Sequence, residues 1–344
     1  MKYARLGDSG LIVSRIAIGT MTFTETNKDL ATLQKVDPGL ADILVGRAID
    51  AGVNFFDTAD IYSAGESELV LGKTLKGRRQ NVVIASKVGL RTGRALTQAG
   101  LSRRHILWSI DQSLERLGTD WVDIYIAHRE DHLTPLEETL EALDAVVRSG
   151  KARYIGFSNW SAWQVAAALE IQKANGWARF THGQMHYSLL GRDVERDVIP
   201  MLRRYGLGMT VWSPLAFGFL TGKFNRDTIR EADSRFSEVP LLPFDQDEGF
   251  RLLEIVKRIA SVHDVSPSRI AIAWLLARDS VTSILIGTTK LSQLEDNLGA
   301  LDVVLSEAEL AELDLATSLK PVYPNWFIDS FADAPATEAL SRKR

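Results

Sequence analysis

Four residues whose chemistry belongs together each stand at or just past the end of a short apolar run. Asp57 closes NFFD, Tyr62 follows five residues on, Lys87 closes VVIASK and His128 closes VDIYIAH. A lysine at the end of a buried strand needs a carboxylate, because an unpaired ammonium in a dry interior is heavily penalised. Asp57, on the preceding run, is placed to provide it. An ammonium lowers the pKa of a neighbouring tyrosine, which makes Tyr62 a proton donor at neutral pH. His128 can donate a hydrogen bond to a carbonyl oxygen and polarise it. Together they can protonate an oxygen on which negative charge develops, the second half of a carbonyl reduction. Each residue alone has an ordinary reading: a cap or ion-pair partner for Asp57, half-buried packing for Tyr62, a hydrogen-bonded interior histidine for His128. Lys87 is the hardest to explain by packing, and the repetition at successive strand ends points to a site.

The elements that must position these residues alternate along the chain. Strands are expected at 15–19, 54–57, 82–86, 122–128, 153–158, 179–184, 208–213 and 283–287, with helical stretches between them. Leu40, Ile43, Leu44, Ala48 and Ala51 recur on one helical face, with Gly52 as a stop. Capping boxes are expected at Thr134/Glu137 (with Pro135 first in the helix and Gly150 ending it), Ser161/Gln164, Ser292/Glu295 and Ser306/Glu309, and Ser266–Pro267 opens a further helix. Strands each followed by a helix pair in parallel. A single closed (β/α)8 TIM barrel over 1–344 is the simplest architecture. An open doubly wound sheet would carry a glycine-rich turn after its first strand, where the chain has IAIGTMTF instead. Residues 3–13 read as an N-terminal β-hairpin around Asp8–Gly10 that plugs the barrel floor. Long loops lie at the C-terminal rim, at 22–38 and at 222–247 with Pro240 and Pro243. The tail from 316 carries Tyr323, Pro324, Trp326 and Phe327, and an unstructured end is expected from about 332.

In a barrel of this kind the rim presents Gly19, Thr20 and Met21, then Asp57, Lys87, His128, Ser158 and Asn159, Gln184, Trp212 and Ser213, and Gly287 to Thr289. In these features the chain resembles the aldo-keto reductase superfamily, nearest its branch of bacterial general reductases and potassium-channel β-subunit-like proteins. The matching segments are NFFDTADIYSAGESELVLGKTL, VVIASKVG, the strand ending at His128, TPLEETLEALDAVVRSGKARYIGFSNW, VWSPLAFGFLTGK and IGTTKLSQLEDN, in family order over nearly the whole length. The resemblance implies an NADPH-dependent reductase of aldehydes or ketones, reversible toward alcohols. Tyr62 is then the general acid, Lys87 and Asp57 its tuning pair, and His128 the carbonyl-orienting group.

The same resemblance assigns Ser158, Asn159 and Gln184 to the nicotinamide carboxamide. Trp212 falls where an aromatic ring, more often tyrosine, stacks on the nicotinamide. Ser213, Pro214, Leu215 and Gly218 line the pyrophosphate path. Lys223, Arg235, Thr289 and Gln293 take the adenine-ribose end, with Asp296 and Asn297 on the adenine, and Gly19, Thr20, Met21, Asp57 and Gly287 complete the set. Many members carry arginine where Thr289 stands, so the 2′-phosphate falls to Lys223, Arg235 or Lys290. NADPH is expected over NADH. Members that reduce steroid carbon–carbon double bonds carry glutamate where this chain has His128.

Composition narrows the remaining readings. The chain has 344 residues, a formal net charge of −4 and no cysteine. It offers no basic surface for nucleic acid, no thiolate site and no apolar run long enough to span a bilayer. The N-terminal segment lacks a secretory pattern, so cytoplasm is the default expectation. His182 and His186 are four apart, a spacing that converges on a helix and not on a strand, where His186 would already lie in the loop. They read as structural or substrate-adjacent, Glu130 and Asp131 as solvated loop charges, and no metal is expected. Two rivals remain: a nucleotide-sensing regulatory subunit with weak reductase activity, and a metal-dependent barrel hydrolase, for which only His128 and Asp57 qualify as ligands. The pocket walls are expected from the loop after Thr22, from 129–133, from 222–247 and from Trp326 and Phe327. Substrate identity and oligomeric state are not legible.

Overall fold

Strand parity governs the architecture. Along Phe55–Asp57 (β4), Val83–Val88 (β5) and Val122–Ala127 (β6), alternate side chains face opposite ways. Phe55, Val83, Ala85, Ile124 and Ile126 form one apolar cluster together with Leu6, Val13, Ala17 and Leu285, while Phe56, Ile84 and Tyr125 belong to the larger layer under the helices. The first set fills the barrel interior. Counting on by two from it gives Asp57, Lys87 and His128, so the register that packs the core also aims the three polar residues inward.

The computed structural model describes residues 1–26, 35–226 and 244–341. Eight parallel strands close into a barrel. In sequence they are Ile16–Gly19 (β3), β4, β5, β6, Ala152–Ser158 (β7), Phe180–His186 (β8), Gly208–Trp212 (β9) and Ser283–Ile286 (β10), and β10 pairs back onto β3. The antiparallel hairpin of Tyr3–Arg5 (β1) and Ile12–Ser14 (β2) lies outside the barrel order. It closes the floor: Leu6 and Val13 are fully buried within the interior cluster. Gly7 makes that approach possible. Its φ is +60°, and a Cβ there would lie 2.6 Å from both the Gly208 nitrogen and the Thr181 oxygen. The Asp8 N–H donates to the Gly206 carbonyl at 2.9 Å, which ties the hairpin to the barrel bottom.

Helix ends follow local chemistry, with instructive exceptions. Pro38–Asp50 (α1) starts where the Asp37 side chain accepts from Leu40 N–H, and Arg103–Leu117 starts where Ser102 accepts from His105 N–H. Ser306 and Glu309 form the expected capping box, and Ser266 caps the helix opened by Pro267. Three expected boxes do not form. Thr134 donates to Asp131 instead, and the helix begins at Leu136. Ser161 is an N-cap by position, but its hydroxyl donates to Glu130 at 2.5 Å. Ser292 lies inside a helix that starts at Leu291. In the first two cases a loop carboxylate competes more strongly for the hydroxyl than a backbone N–H does. Glu130 and Asp131 are therefore internal acceptors and not solvated charges: Asp131 also takes the N–H groups of Leu101 and Leu133.

The C-terminal segment also departs from expectation. Asn325–Ser330 is helical, and Ala334–Ser341, expected to be unstructured, forms a further helix suited to its Ala-Thr-Glu-Ala-Leu run. Tyr323, Phe327, Ile328 and Phe331 are exposed, so this tail does not bury its aromatics against the barrel. Arg235, Pro240, Pro243 and the middle of the first rim loop lie outside the described residues. No helix among the described residues is long and apolar enough to cross a membrane.

The floor and the reactive rim are opposite ends of one core, so they should respond separately to mutation. Leu6→Ala is expected to lower unfolding free energy by about 2–5 kcal/mol, as a large-to-small change in a fully buried site does. Activity per folded molecule should be retained. Urea unfolding combined with specific activity checks this, and a stability loss below about 1 kcal/mol would show that the hairpin is not a packed floor.

Candidate active site

At the rim end of the interior, Lys87 is wholly buried and all three donors of its ammonium have partners. Nζ donates to Asp57 Oδ1 at 2.5 Å, to the Thr58 carbonyl at 2.9 Å and to Tyr62 Oη at 3.1 Å. Asp57 Oδ2 accepts from Gln184 Nε2 at 2.7 Å. Burial pulls the Lys87 ammonium toward deprotonation, but the charge of Asp57, with Tyr62 behind it, raises its pKa above the ordinary value. Burial pushes the Asp57 carboxyl up, against the pull of Lys87. With a donor on each oxygen, the carboxylate is the form this site is built to hold.

Tyr62 sits in the loop that follows β4, pinned to β5 by Thr58 N–H to the Ala85 carbonyl and Asp60 N–H to the Lys87 carbonyl. Its ring lies edge-on to His128, with centroids 5.9 Å apart at 80°. His128 is held well below its ordinary pKa by burial first, then by Lys87 and Arg129, so the imidazole is neutral. Its Nδ1 is buried without a hydrogen-bond partner. The sequence-expected quartet is therefore one contiguous group.

The residues assigned to a cofactor divide into two sets. Ser213, Pro214, Leu215, Gly218, Lys223, Gly287, Thr289, Gln293, Asp296 and Asn297 line a single cavity of about 430 Å³ beyond the ends of β9 and β10. Lys35, Phe217, Thr221 and Ser268 also line it and were not expected from sequence. Phe217 and Thr221 lie in the matched VWSPLAFGFLTGK segment and were within reach of sequence reasoning. Lys35 was not, since only the fold brings the first rim loop across. The second set lies around the Asp57–Tyr62–Lys87–His128 group. Ser158 pairs in register with Gln184, and Gly19 with Asp57. Asn159 donates to the His128 carbonyl at 3.1 Å and to Ser158 Oγ at 2.9 Å, and Trp212 Nε1 donates to Asn159 Oδ1 at 3.0 Å. Met21 is half-buried at the same rim.

Within the walls some of these residues also bond to one another. Thr20 is fully buried, its hydroxyl donating to the Asp57 carbonyl at 3.1 Å and lying 2.7 Å from Ser67 Oγ. The Asp296 carboxylate accepts from Ser266 Oγ at 2.5 Å and Arg269 Nε at 2.9 Å, which neutralises it within the wall. Gln293 Oε1 accepts from Thr289 N–H at 3.0 Å. His186 is the last residue of β8, not a loop residue, because the strand runs two residues further than its sequence pattern. No group of three or more metal-ligating side chains converges among the described residues.

The sequence has known counterparts. The model of the Aldo/keto reductase family matches residues 15–317. The chain belongs to that family. It is 36% identical over 332 residues to a protein of Oryza sativa subsp. japonica named "Probable voltage-gated potassium channel subunit beta", covering 93% of this chain and 98% of the relative. It is 34% identical over 345 residues to versiconal hemiacetal acetate reductase of Aspergillus parasiticus, covering 94% and 99%. As an aldo/keto reductase the chain is an oxidoreductase, of a family that uses nicotinamide cofactors and acts on the carbonyl groups of small molecules.

Behind the Tyr62 loop, outside the barrel wall, lies a second buried polar group. Asp60 Oδ2 accepts from Ser109 Oγ at 2.8 Å, while its Oδ1 is buried without a partner. Burial pushes this carboxyl up to about 7, with Ser109 opposing and Glu68 reinforcing. The folded protein thus keeps a proton that the unfolded chain releases from about pH 4 upward. The stability this proton confers is lost as pH climbs toward 7. Asp60→Asn, which cannot ionise, should therefore gain on the wild type by about 1–3 kcal/mol between pH 5 and pH 8. Urea unfolding of both proteins across that range checks it, and a pH-independent difference would show that Asp60 is ionised normally.

Proposed function

We propose that the protein reduces an aldehyde or ketone to an alcohol with NADPH, reversibly, and that Tyr62 supplies the proton. The observation that carries this reading is the Lys87–Tyr62 contact within a site where Lys87 is itself paired to Asp57. Because Lys87 donates to Tyr62 Oη, the phenolic proton is directed elsewhere, toward a substrate oxygen. The ammonium then stabilises the negative charge that grows on Oη as the proton leaves. His128, held neutral by burial and the Lys87 charge, is not a competing acid, and its remaining ring N–H suits it to holding the carbonyl oxygen beside Tyr62. The two roles are separated by environment: a neutral imidazole orients and a lysine-assisted phenol transfers.

The residues present fit a nicotinamide dinucleotide. The cavity is of ligand size and is lined by Lys35 and Lys223, with its acid Asp296 paired to Arg269. Gly218 suits close passage of a phosphate: a Cβ there would meet the Lys223 side chain at 3.3 Å. Lys223, with Lys35 from the opposite loop, supplies the positive charge for a 2′-phosphate where Thr289 cannot, which is why NADPH is preferred to NADH. When bound, the cofactor supplies the hydride. Ser158, Asn159 and Gln184 hold its carboxamide end beside the catalytic group, and Trp212 offers a ring to the nicotinamide face. A regulatory subunit with weak reductase activity would hold the same Tyr62–Lys87–Asp57 group, so the rate of turnover separates the two readings.

Tyr62→Phe removes the transferable proton and leaves the ring and the Lys87–Asp57 pair in place. We expect NADPH affinity to be kept and turnover to fall by a factor of about 10²–10⁴. Steady-state NADPH oxidation over a panel of carbonyls, with alcohols and NADP in reverse, provides the measurement. Near-normal turnover by the variant would remove Tyr62 from the mechanism, and negligible wild-type turnover despite cofactor binding would support the regulatory reading.

A further inference from the structure

His186 takes no part in the chemistry above, yet it is packed with care. It pairs in register with Trp212 across β8 and β9, and their rings lie 4.8 Å apart at 43°. Its Nε2 is buried without a hydrogen-bond partner, so no polar contact of that atom accounts for its placement. Directly after the strand the chain folds back, with Ser188 N–H donating to the Gly191 carbonyl at 3.2 Å and Gly191 N–H to the Ser188 carbonyl at 3.0 Å. That turn lies against the imidazole: a Cβ on Gly191 would collide with His186 Cε1. Burial drops the His186 pKa to about 4, against the opposing charge of Asp193, so the ring is neutral and meets the indole as an aromatic surface. The far edge of the indole is fixed by its N–H bond to Asn159, which is in turn bonded to the His128 carbonyl.

We infer that His186 is a positioning residue: backed by the Ser188–Gly191 turn, its imidazole sets the tilt of Trp212 and thereby the plane on which a nicotinamide ring rests. This rests on the cofactor reading above. The consequence is a linkage from the β8 turn through His186 and Trp212 to Asn159 and the His128 backbone, so that cofactor plane and carbonyl-orienting group share one frame.

The test is a double-mutant cycle on NADPH affinity, read from NADPH fluorescence on titration. His186→Ala should weaken binding by about three- to tenfold, the scale of one aromatic pair. His186→Phe, which keeps a ring, should restore affinity to within about twofold of wild type. In a Trp212→Ala background, His186→Ala should have no further effect, because its influence passes through the indole. Additive losses in the double variant, or unchanged affinity in His186→Ala, would overturn the inference. If the alanine variant does not fold, His186→Gln takes its place in the cycle, with loss of affinity still expected. Wild-type protein that does not bind NADPH would instead overturn the cofactor reading, and the inference with it.

Discussion

The Lys87–Asp57 ion pair is the constraint on which the rest of the site depends. Both groups are removed from water, where neither charge would be tolerated alone. The pair persists because every donor of Lys87 and both oxygens of Asp57 are occupied. Removing one partner from such a pair typically costs about 3–5 kcal/mol, since the other is left as a bare buried charge. That demand fixes the register of β4 against β5, the turn after β4, and Gln184 on the far side of the barrel. The same interactions that make the charges tolerable hold Tyr62 at 3.1 Å from the ammonium.

A dry interior below makes this pair effective. Ala17, Phe55, Val83, Ile124 and Leu285, sealed beneath by Leu6 and Val13, form an apolar layer below the rim, so the charge on Lys87 is little screened from that side. The depressed basicity of His128 is a direct consequence, since burial and the neighbouring ammonium both disfavour imidazolium. Rigidity at the floor and reactivity at the rim are thus one design seen from two ends. The barrel strands carry the groups that must be held to a fraction of an ångström. The loops bring Lys35 and Lys223 to the cavity wall.

How far the sequence revealed this follows from which interactions are local. Strands, barrel, hairpin plug and the convergence of Asp57, Tyr62, Lys87 and His128 were legible because a two-residue period and an apolar run ending in a charged or polar group both survive in one dimension. Side-chain competition was not. Thr134 and Ser161 have the spacing of capping residues, but Asp131 and Glu130 reach them only once the loops are folded. Thr20 ends a strand in the sequence, and only the fold shows its hydroxyl engaged by the Asp57 carbonyl and by Ser67, forty-seven residues on. Nothing beside Asp60 in the sequence marks it, because Ser109 encloses it only in the fold. His186 was set aside because the strand was read two residues short, which moved it off the face it shares with Gln184.

Those misses have a common direction. Residues that touch the reacting groups lie at strand ends and advertise themselves by being polar where apolar is expected. Residues that position them look unexceptional, because their role consists of contacts with distant segments. Asn159 shows the difference within one side chain. Its place after β7 marks it as a ligand contact, but its amide also joins the His128 backbone to the Trp212 indole, and its backbone is left-handed, with φ at 56°. An asparagine tolerates that conformation better than most residues, since its short amide can bond locally while the chain turns. The backbone geometry and the two bonds constrain each other: the turn aims the amide, and the amide's partners on β6 and β9 hold the turn. A residue chosen for binding a ligand would not need to satisfy all three, so the identity at 159 is set as much by the frame around the site as by anything the site binds.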